Sequence, residues 1–290
     1  MGLLSGLSNL GLGKLEGADI YAEEEKPKSE APKVQPAPVK EEAPFDENDV
    51  LFDKSAECPV CSKKFTYRAV RTGKARPSGQ DTDLRPKFEK FDPLKYDAIV
   101  CPYCGYGCLT KYYTALPAAQ IKLIKEGLAG RVHGVANNPI LSYDDAIQRY
   151  QLALASSIVK RGKDSEKAYV CLRMAWVIRG KKESIPLDAI DYDEVMKQLN
   201  DDETEALQTA FEGFINARQK ESFPIAGMDE ITLDYLLAVL ATRFGKFDAA
   251  SKLISGILVN KAANNRIKDR ARELKETVLA EKNNAPKGDI

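Results

Sequence analysis

Apolar residues recur at helical spacing through most of the chain after Pro117. One stripe places Ala168, Cys171, Leu172 and Trp176 on the same face of a helix. Glycine, proline and capping residues separate such segments, which together predict α-helices over about 117–130, 142–162, 165–180, 192–199, 202–220, 230–244, 247–260 and 265–282. Helices of this length are marginal in isolation, so we expect them to pack as antiparallel pairs.

Several of these helices begin with a recognisable capping signal. Ser142 and Asp145 have the spacing of a capping box, and Ser165 can cap the helix that follows. Asp229 or Thr232 can cap the helix that begins near residue 230.

One helix pair has a more specific pattern, which is Leu237-Ala238-x6-Gly245-x-Phe247-x2-Ala250-x3-Ile254-x2-Ile257-Leu258. The small residues let two helices approach, Gly245 suits the turn, and Phe247 can pack beneath it. This spacing is similar to a tetratricopeptide repeat, although the usual Trp and final proline are absent. It favours a concave helical surface that holds a partner peptide, and an ordinary helical bundle is the alternative.

The pattern changes before residue 116. Residues 65–70 and 96–100 alternate apolar or aromatic positions with polar ones, as half-buried strands do. Near the N-terminus, leucines at 3, 4, 7 and 10 are interrupted by glycines, and residues 22–49 are rich in Pro, Glu and Lys. We expect this first part to be a disordered tail and an extended linker.

Composition places the chain among globular proteins, with 290 residues, 43% of them hydrophobic and 30% charged. No apolar run is long enough for a membrane span, and no secretory signal is evident, so the expected location is cytoplasmic. His133 is the single histidine, which excludes mechanisms that need two imidazoles.

The overall charge balance of 43 basic and 43 acidic side chains is distributed unevenly. Residues 1–50 carry 5 basic and 11 acidic groups, for a net charge of −6, whereas residues 51–115 carry 12 and 7, for +5. We therefore predict four parts: a disordered tail and linker at 1–50, a ribbon at 51–115, a helical repeat-like domain at 116–283, and a disordered tail at 284–290. The fold class is α+β, mainly α.

Two Cys-x2-Cys pairs give the strongest chemical signal. Cys58 and Cys61 form the first pair, and Cys101 and Cys104 form the second after 39 intervening residues. Four thiolates presented in pairs are the ligand set that zinc prefers in closed structural sites. Together with the predicted strands they indicate a zinc ribbon, with Zn²⁺ in a structural role and no open position for an activated water.

Other cysteine chemistries remain open at this point. A dithiol redox couple, a rubredoxin-like iron site, or a [4Fe–4S] cluster that recruits Cys108 are the alternatives to zinc. Cys171 falls within a helical stripe, which favours a small buried residue. An enzyme that uses Cys108 or His133 is a distant alternative, and no catalytic residue is assigned.

The segment between the cysteine pairs mixes basic and aromatic residues. Arg68, Arg71, Arg76 and Lys87 are candidate nucleic-acid-binding residues, because cations neutralise phosphates while rings stack on bases. The alternative is that the aromatics cover the metal site and the charges serve solubility. Acidic residues in the same segment would repel phosphates.

The chain resembles an uncharacterised bacterial family with an N-terminal four-cysteine zinc ribbon and a C-terminal tetratricopeptide-like region. The matching stretches span about residues 55–280 and include CPVCSKKF, the segment from Asp81 to Arg85, YDAIVCPYCGYG, SEKAYVCLRMAWVIRG and ESFPIAGMDEITLDYLLAVLATRFGKFDAA. Ser62 replaces a commoner glycine. The resemblance implies the two-module architecture and the four cysteines, and it implies no enzyme activity.

The leading hypothesis is a zinc-stabilised interaction or scaffold protein that binds a protein partner through its helical repeats. The alternative is a nucleic-acid-associated protein that uses the basic ribbon. No small-molecule substrate is predicted, and the N-terminal leucine segment is at most a short docking element.

Overall fold

A computed structural model describes residues 45–128, 130–132, 135 and 137–284, and residues 45–284 lie within one compact unit. The predicted tail and linker at 1–44, the last residues 285–290, and His133 lie outside the described residues. Three small antiparallel sheets precede seven α-helices in the described part of the chain, so the predicted α+β, mainly α class is confirmed.

Each sheet is a two-stranded hairpin. The strands are β1 (Leu51–Glu57) with β2 (Lys64–Val70), β3 (Gly79–Gln80) with β4 (Pro86–Lys87), and β5 (Ala98–Val100) with β6 (Gly107–Leu109). The strand predicted at 65–70 is confirmed within β2. The strand predicted at 96–100 begins later, at Ala98, because Pro93–Tyr96 forms a 3₁₀-helix that Asp92 caps through the N–H of Leu94.

The sequence did not indicate β1 or β6. Most of β1 is exposed or half-buried, so its residues show no alternation, and it is held by backbone pairing with β2. All three residues of β6 are buried, and so short an apolar run has no readable period.

The first helices are α1 (Ala118–Gly127), α2 (Tyr143–Val159) and α3 (Asp164–Ser184). The capping box of Ser142 and Asp145 is present at the start of α2. The prediction that Ser165 caps α3 is wrong, because the helix begins one residue earlier and Ser165 donates to Glu221 from both its N–H and its Oγ. The expected end at Gly180 is also wrong, since α3 continues to Ser184.

Two predicted helices, 192–199 and 202–220, are one continuous helix, α4 (Tyr192–Lys220). Asn200 and Asp201 are weak helix formers, which suggested a break between them. The helix persists because Leu199, Glu203 and Leu207 on either side are buried on one face.

The last three helices are α5 (Glu230–Arg243), α6 (Phe247–Val259) and α7 (Asn265–Asn284), close to their predicted bounds. Asp229 caps α5 by accepting a hydrogen bond from the N–H of Thr232 at 2.7 Å. No helix in the described residues is long and apolar enough to cross a membrane.

The cysteine-containing hairpins pack directly against the helices. Leu94, Ala98 and Leu109 belong to the same apolar core as residues of α2 and α3. Gly107 in β6 donates its N–H to Ser156 Oγ of α2 at 2.9 Å, and a Cβ at Gly107 would lie 2.9 Å from the backbone nitrogen of Ala153. This close approach fixes the β5–β6 hairpin on α2, while the division of the chain at residue 115 stays a prediction.

Candidate metal centre

Each cysteine pair lies in the turn of a hairpin. Cys58 and Cys61 lie between β1 and β2, and Cys101 and Cys104 lie between β5 and β6. In the first turn the N–H of Ser62 donates to the carbonyl of Cys58 at 2.9 Å. In the second, the N–H of Gly105 donates to the carbonyl of Cys101 at 3.0 Å. The two turns therefore present their sulfurs in the same way.

The residue after each pair has a left-handed backbone. Ser62 has φ 58° and Gly105 has φ 75°, a conformation that costs a residue with a Cβ about 1–2 kcal/mol. At Gly105 space is also limiting, because a Cβ would lie 2.4 Å from Cβ of Val132. Glycine is thus required at 105 for two reasons, whereas Ser62 tolerates the same conformation.

The two turns bring all four sulfurs together. The Sγ atoms lie within 4.8 Å of one another, with 3.6 Å between Cys58 and Cys104 and 3.7 Å between Cys61 and Cys101. Four sulfurs about 2.3 Å from a zinc ion at the centre of a tetrahedron are about 3.8 Å apart. The cysteines could therefore hold a metal ion, and their spacing suits a tetrahedral one.

The electrostatics of the cluster favour a cation. Hydrogen bonding from Cys104 and then Cys58 holds the pKa of Cys101 far below its usual value. The hydrogen bond to Cys101 in turn raises the pKa of Cys58 and that of Cys104. Four thiolates cannot ionise side by side without a compensating charge, and a divalent cation at their centre supplies it.

The remaining cysteines lie elsewhere. Cys108 is buried in β6, where burial raises the pKa of its thiol to about 12. Cys171 is buried in α3, and burial raises its pKa to about 11. Reactive cysteines have depressed pKa values and some exposure, and neither residue has these properties.

The four basic residues proposed for nucleic acid do not form one open surface. Arg68 donates to Asp53, Asn48 and the carbonyl of Pro139. Lys87 forms a 2.8 Å ion pair with Asp81. The other two differ in their surroundings: Arg71 bonds to the carbonyl of Leu51 and lies over the Phe52 ring, while Arg76 is exposed. Their proposed role stays a prediction.

A loop between the cysteine pairs carries a second cluster that the residue patterns did not reveal. This docking loop, residues 80–85, comprises the last residue of β3 and the turn that leads to β4, and it contacts α3 and α7. Arg179 of α3 binds Asp83 and Asp81, and the indole N–H of Trp176 donates to Asp83. Arg270 of α7 donates to the side-chain oxygen of Gln80 and the carbonyl of Asp81.

Glu203 of α4 completes this network from the other side. It is 1% exposed and binds Arg179, Lys182 and Arg243 at 2.7–3.2 Å. The docking loop is also held by Arg85, which forms two hydrogen bonds with Glu183. No local spacing in the sequence reports such contacts, although the segment from Asp81 to Arg85 does contribute to the family resemblance.

A groove opens beside the docking loop. Its cavity has a volume of about 620 Å³ and is lined by residues of α5 and α7, by Arg179 of α3 and by the loop. Val239 and Leu274 supply what accessible apolar surface the groove has, and Glu273 and Glu281 lie along the α7 side. The helices that contribute to the groove, α3, α5 and α7, alternate along the chain with α4 and α6, which do not.

The fold and the site define a mainly helical protein with a candidate four-cysteine metal site built from two hairpins. The chain belongs to the family described as an uncharacterized protein conserved in bacteria (DUF2225), whose model matches residues 51–278. The resemblance noted from the sequence is thus confirmed at the level of the family. No curated protein and no solved structure matches the chain.

Proposed function

We propose that the protein is a zinc-stabilised interaction protein whose helical domain binds a segment of another protein. The observation that carries this proposal is the groove lined by the alternate helices α3, α5 and α7. The metal centre acts at a distance from the groove, by keeping the hairpins and their docking loop in place.

Zinc is the proposed occupant of the cysteine cluster. Two of the Sγ–Sγ distances, 3.6 and 3.7 Å, suit a closed tetrahedral site, which zinc occupies in structural roles, and all four sulfurs lie within 4.8 Å of one another. Cysteine would fill all four positions, so the ion would serve folding and would not activate water. The core of the hairpins is a small buried cluster that contains Cys58, Cys101 and Cys104, so a metal bound by these thiolates would hold that core together.

A tetratricopeptide-like arrangement is the proposed architecture of the helical domain. In such folds alternate helices line a concave face that holds an extended peptide. The grouping of α3, α5 and α7 around the groove, with α4 and α6 outside it, is consistent with this arrangement.

The chemistry of the groove indicates the kind of segment that it holds. Arg179 and Arg270 are already engaged by the docking loop, and Arg243 by Glu203. Among the described residues, Glu273 and Glu281 form no ion pair. We therefore expect a partner segment that places an apolar side chain against Val239 and Leu274 and offers lysine or arginine to the two carboxylates.

A photo-crosslinking residue placed in the full-length protein in its native cells tests this. At the exposed groove position Thr277 it should capture one discrete partner, through a peptide that contains both basic and apolar residues. The same photo-crosslinking residue placed at Glu276, which is exposed on another face of α7, should capture no partner. The double charge reversal Glu273→Lys with Glu281→Lys should abolish the adduct.

The matched control is Asp201→Lys with Glu276→Lys, which makes the same change in net charge at exposed positions outside the groove. Equal capture from positions 276 and 277, or equal loss in the two double variants, would refute groove-specific binding.

A further inference from the structure

A second groove lies on the cysteine-containing part of the chain, on residues unrelated to the helical groove. One cavity of about 460 Å³ is bounded by residues 73–78 on one side, by 88–91 on the other, and by Phe45. A second, of about 650 Å³, runs along β1 and β2. Ala75 and Phe88 line both cavities, so the two adjoin as one channel, which we call the ribbon groove.

The ribbon groove is positively charged. Lys54, Lys74 and Arg76 line it, and within the part of the chain that the structure describes none of these three forms an ion pair. Glu89 is the carboxylate of the same wall. A second carboxylate, that of Asp97, is neutralised by Arg173 at 2.6 Å. An anionic ligand complements this charge.

Aromatic rings accompany the cations along the groove. Phe45 and Phe91 stack with ring centroids 5.8 Å apart, and Phe45 remains 41% exposed, so its outer face is open. Phe88 lies where the two cavities adjoin, and Tyr67 and Tyr113 line the second cavity. A row of rings beside unpaired cations is the arrangement that binds unstacked bases and their phosphates together.

We infer that the ribbon groove binds single-stranded nucleic acid. Phosphates contact Lys74 and Arg76, and bases stack on Phe45 and Phe88. The rings require bases that are free of a duplex stack, which selects single strands over double strands. An acidic peptide would satisfy the cations but would leave the rings without planar partners.

This site differs from the one suggested by charge along the sequence. Of the four basic residues predicted from the sequence, Arg76 alone lines the ribbon groove. Arg68 and Lys87 are held by Asp53 and Asp81, and Lys74 and Lys54 line the groove instead.

Fluorescence anisotropy with the zinc-loaded full chain and labelled oligouridylate or oligothymidylate of about 12 nucleotides tests the inference. The affinity for at least one probe should fall with salt, with a log–log slope of about −2, which corresponds to about three phosphate contacts. The relative affinity of the two probes distinguishes RNA from DNA.

Two sets of variants separate the contribution of the cations from that of the aromatic rings. Lys74→Ala with Arg76→Ala should make the slope shallower by about 1.4, because two phosphate contacts are lost. Phe45→Ala should weaken binding about tenfold with the slope unchanged, since it removes a stacking surface. Phe45 is at the exposed edge of the groove, so this variant should fold even if Phe88→Ala does not.

The matched control is Lys261→Ala with Lys275→Ala, which removes two exposed lysines outside the groove. The inference is overturned if neither probe binds, if the control loses affinity as much as the groove variant, or if a labelled poly-glutamate peptide binds as tightly and with the same dependence on Lys74 and Arg76.

Discussion

Arg179 and Asp83, separated by 96 residues in the chain, are joined by two parallel hydrogen bonds of 2.6 and 3.1 Å. Asp83 lies in the docking loop and Arg179 lies in α3, so this pair connects the cysteine-containing hairpins to the helical domain. Side-by-side bonds from one guanidinium to one carboxylate fix orientation as well as distance. The same carboxylate also accepts from the indole of Trp176.

Asp83→Ala should therefore destabilise the fold by about 2 kcal/mol, because it leaves the indole N–H of Trp176 without its acceptor and removes two hydrogen bonds of Arg179, which keeps those to Asp81 and Glu203. Asp53→Ala is the control. It removes a carboxylate that is 69% exposed and pairs with Arg68, and it should cost less than about 1 kcal/mol. Urea unfolding of both variants measures the difference, and similar losses would contradict a structural role for the docking loop.

This pair also shows where sequence reasoning ends. The four cysteines could be grouped as one candidate metal site because each Cys-x2-Cys pair predicts its own turn, and the capping box of Ser142 and Asp145 predicts a helix that starts at the next residue, Tyr143. The Arg179–Asp83 contact depends on how hairpin and helix pack, and no local pattern encodes it. The same holds for α4, which continues through Asn200 and Asp201 because tertiary burial outweighs their propensity.

Gly180 shows a second limit to what the sequence predicts, because its context suggested the end of a helix. In α3 it instead allows a close contact, since a Cβ there would lie 2.7 Å from the Tyr143 ring and 2.8 Å from an oxygen of Asp92. Gly180→Ala should destabilise the protein by about 1–2 kcal/mol, because the clash exceeds the gain in helix propensity.

Gly256 in α6 is the matched helical glycine, with nothing within 4 Å of the added Cβ. Gly256→Ala should stabilise the protein by up to about 1 kcal/mol. Thermal and denaturant unfolding of the two variants should therefore shift in opposite directions, and a shift of the same sign would argue against the contact at Gly180.

Glu203 should make stability depend on pH. Burial opposes its ionisation most strongly, but the hydrogen bond from Lys182 and the charges of Arg179 and Arg243 outweigh burial and lower its pKa below the ordinary 4.5. A lowered folded-state pKa contributes stability that is present above about pH 4.5 and is lost as the pH falls through the folded value.

Glu203→Gln removes this titration. The wild type should be more stable than the variant by about 3 kcal/mol at pH 7, and the difference should shrink as the pH falls below 4.5. Release of metal in acid affects both proteins alike and cancels in the comparison. A difference that stays constant from pH 7 to pH 3 would show that Glu203 does not titrate in this way.

We expect loss of the metal to open the hairpins and to leave the helices folded. Elemental analysis should find one zinc per chain, and Cys58→Ser with Cys101→Ser should abolish binding because each hairpin then supplies a single thiolate. The helices should persist in far-UV circular dichroism, since their core is built mainly from α2 to α7. The hairpins should open, so trypsin should cut between residues 63 and 90, where lysines and arginines are frequent.

The control is Cys171→Ala, which changes a cysteine that is buried in α3 away from the cluster. This variant should keep its zinc and resist trypsin. Iron in place of zinc, or hairpins that stay protease-resistant without metal, would remove the structural role proposed for the ion.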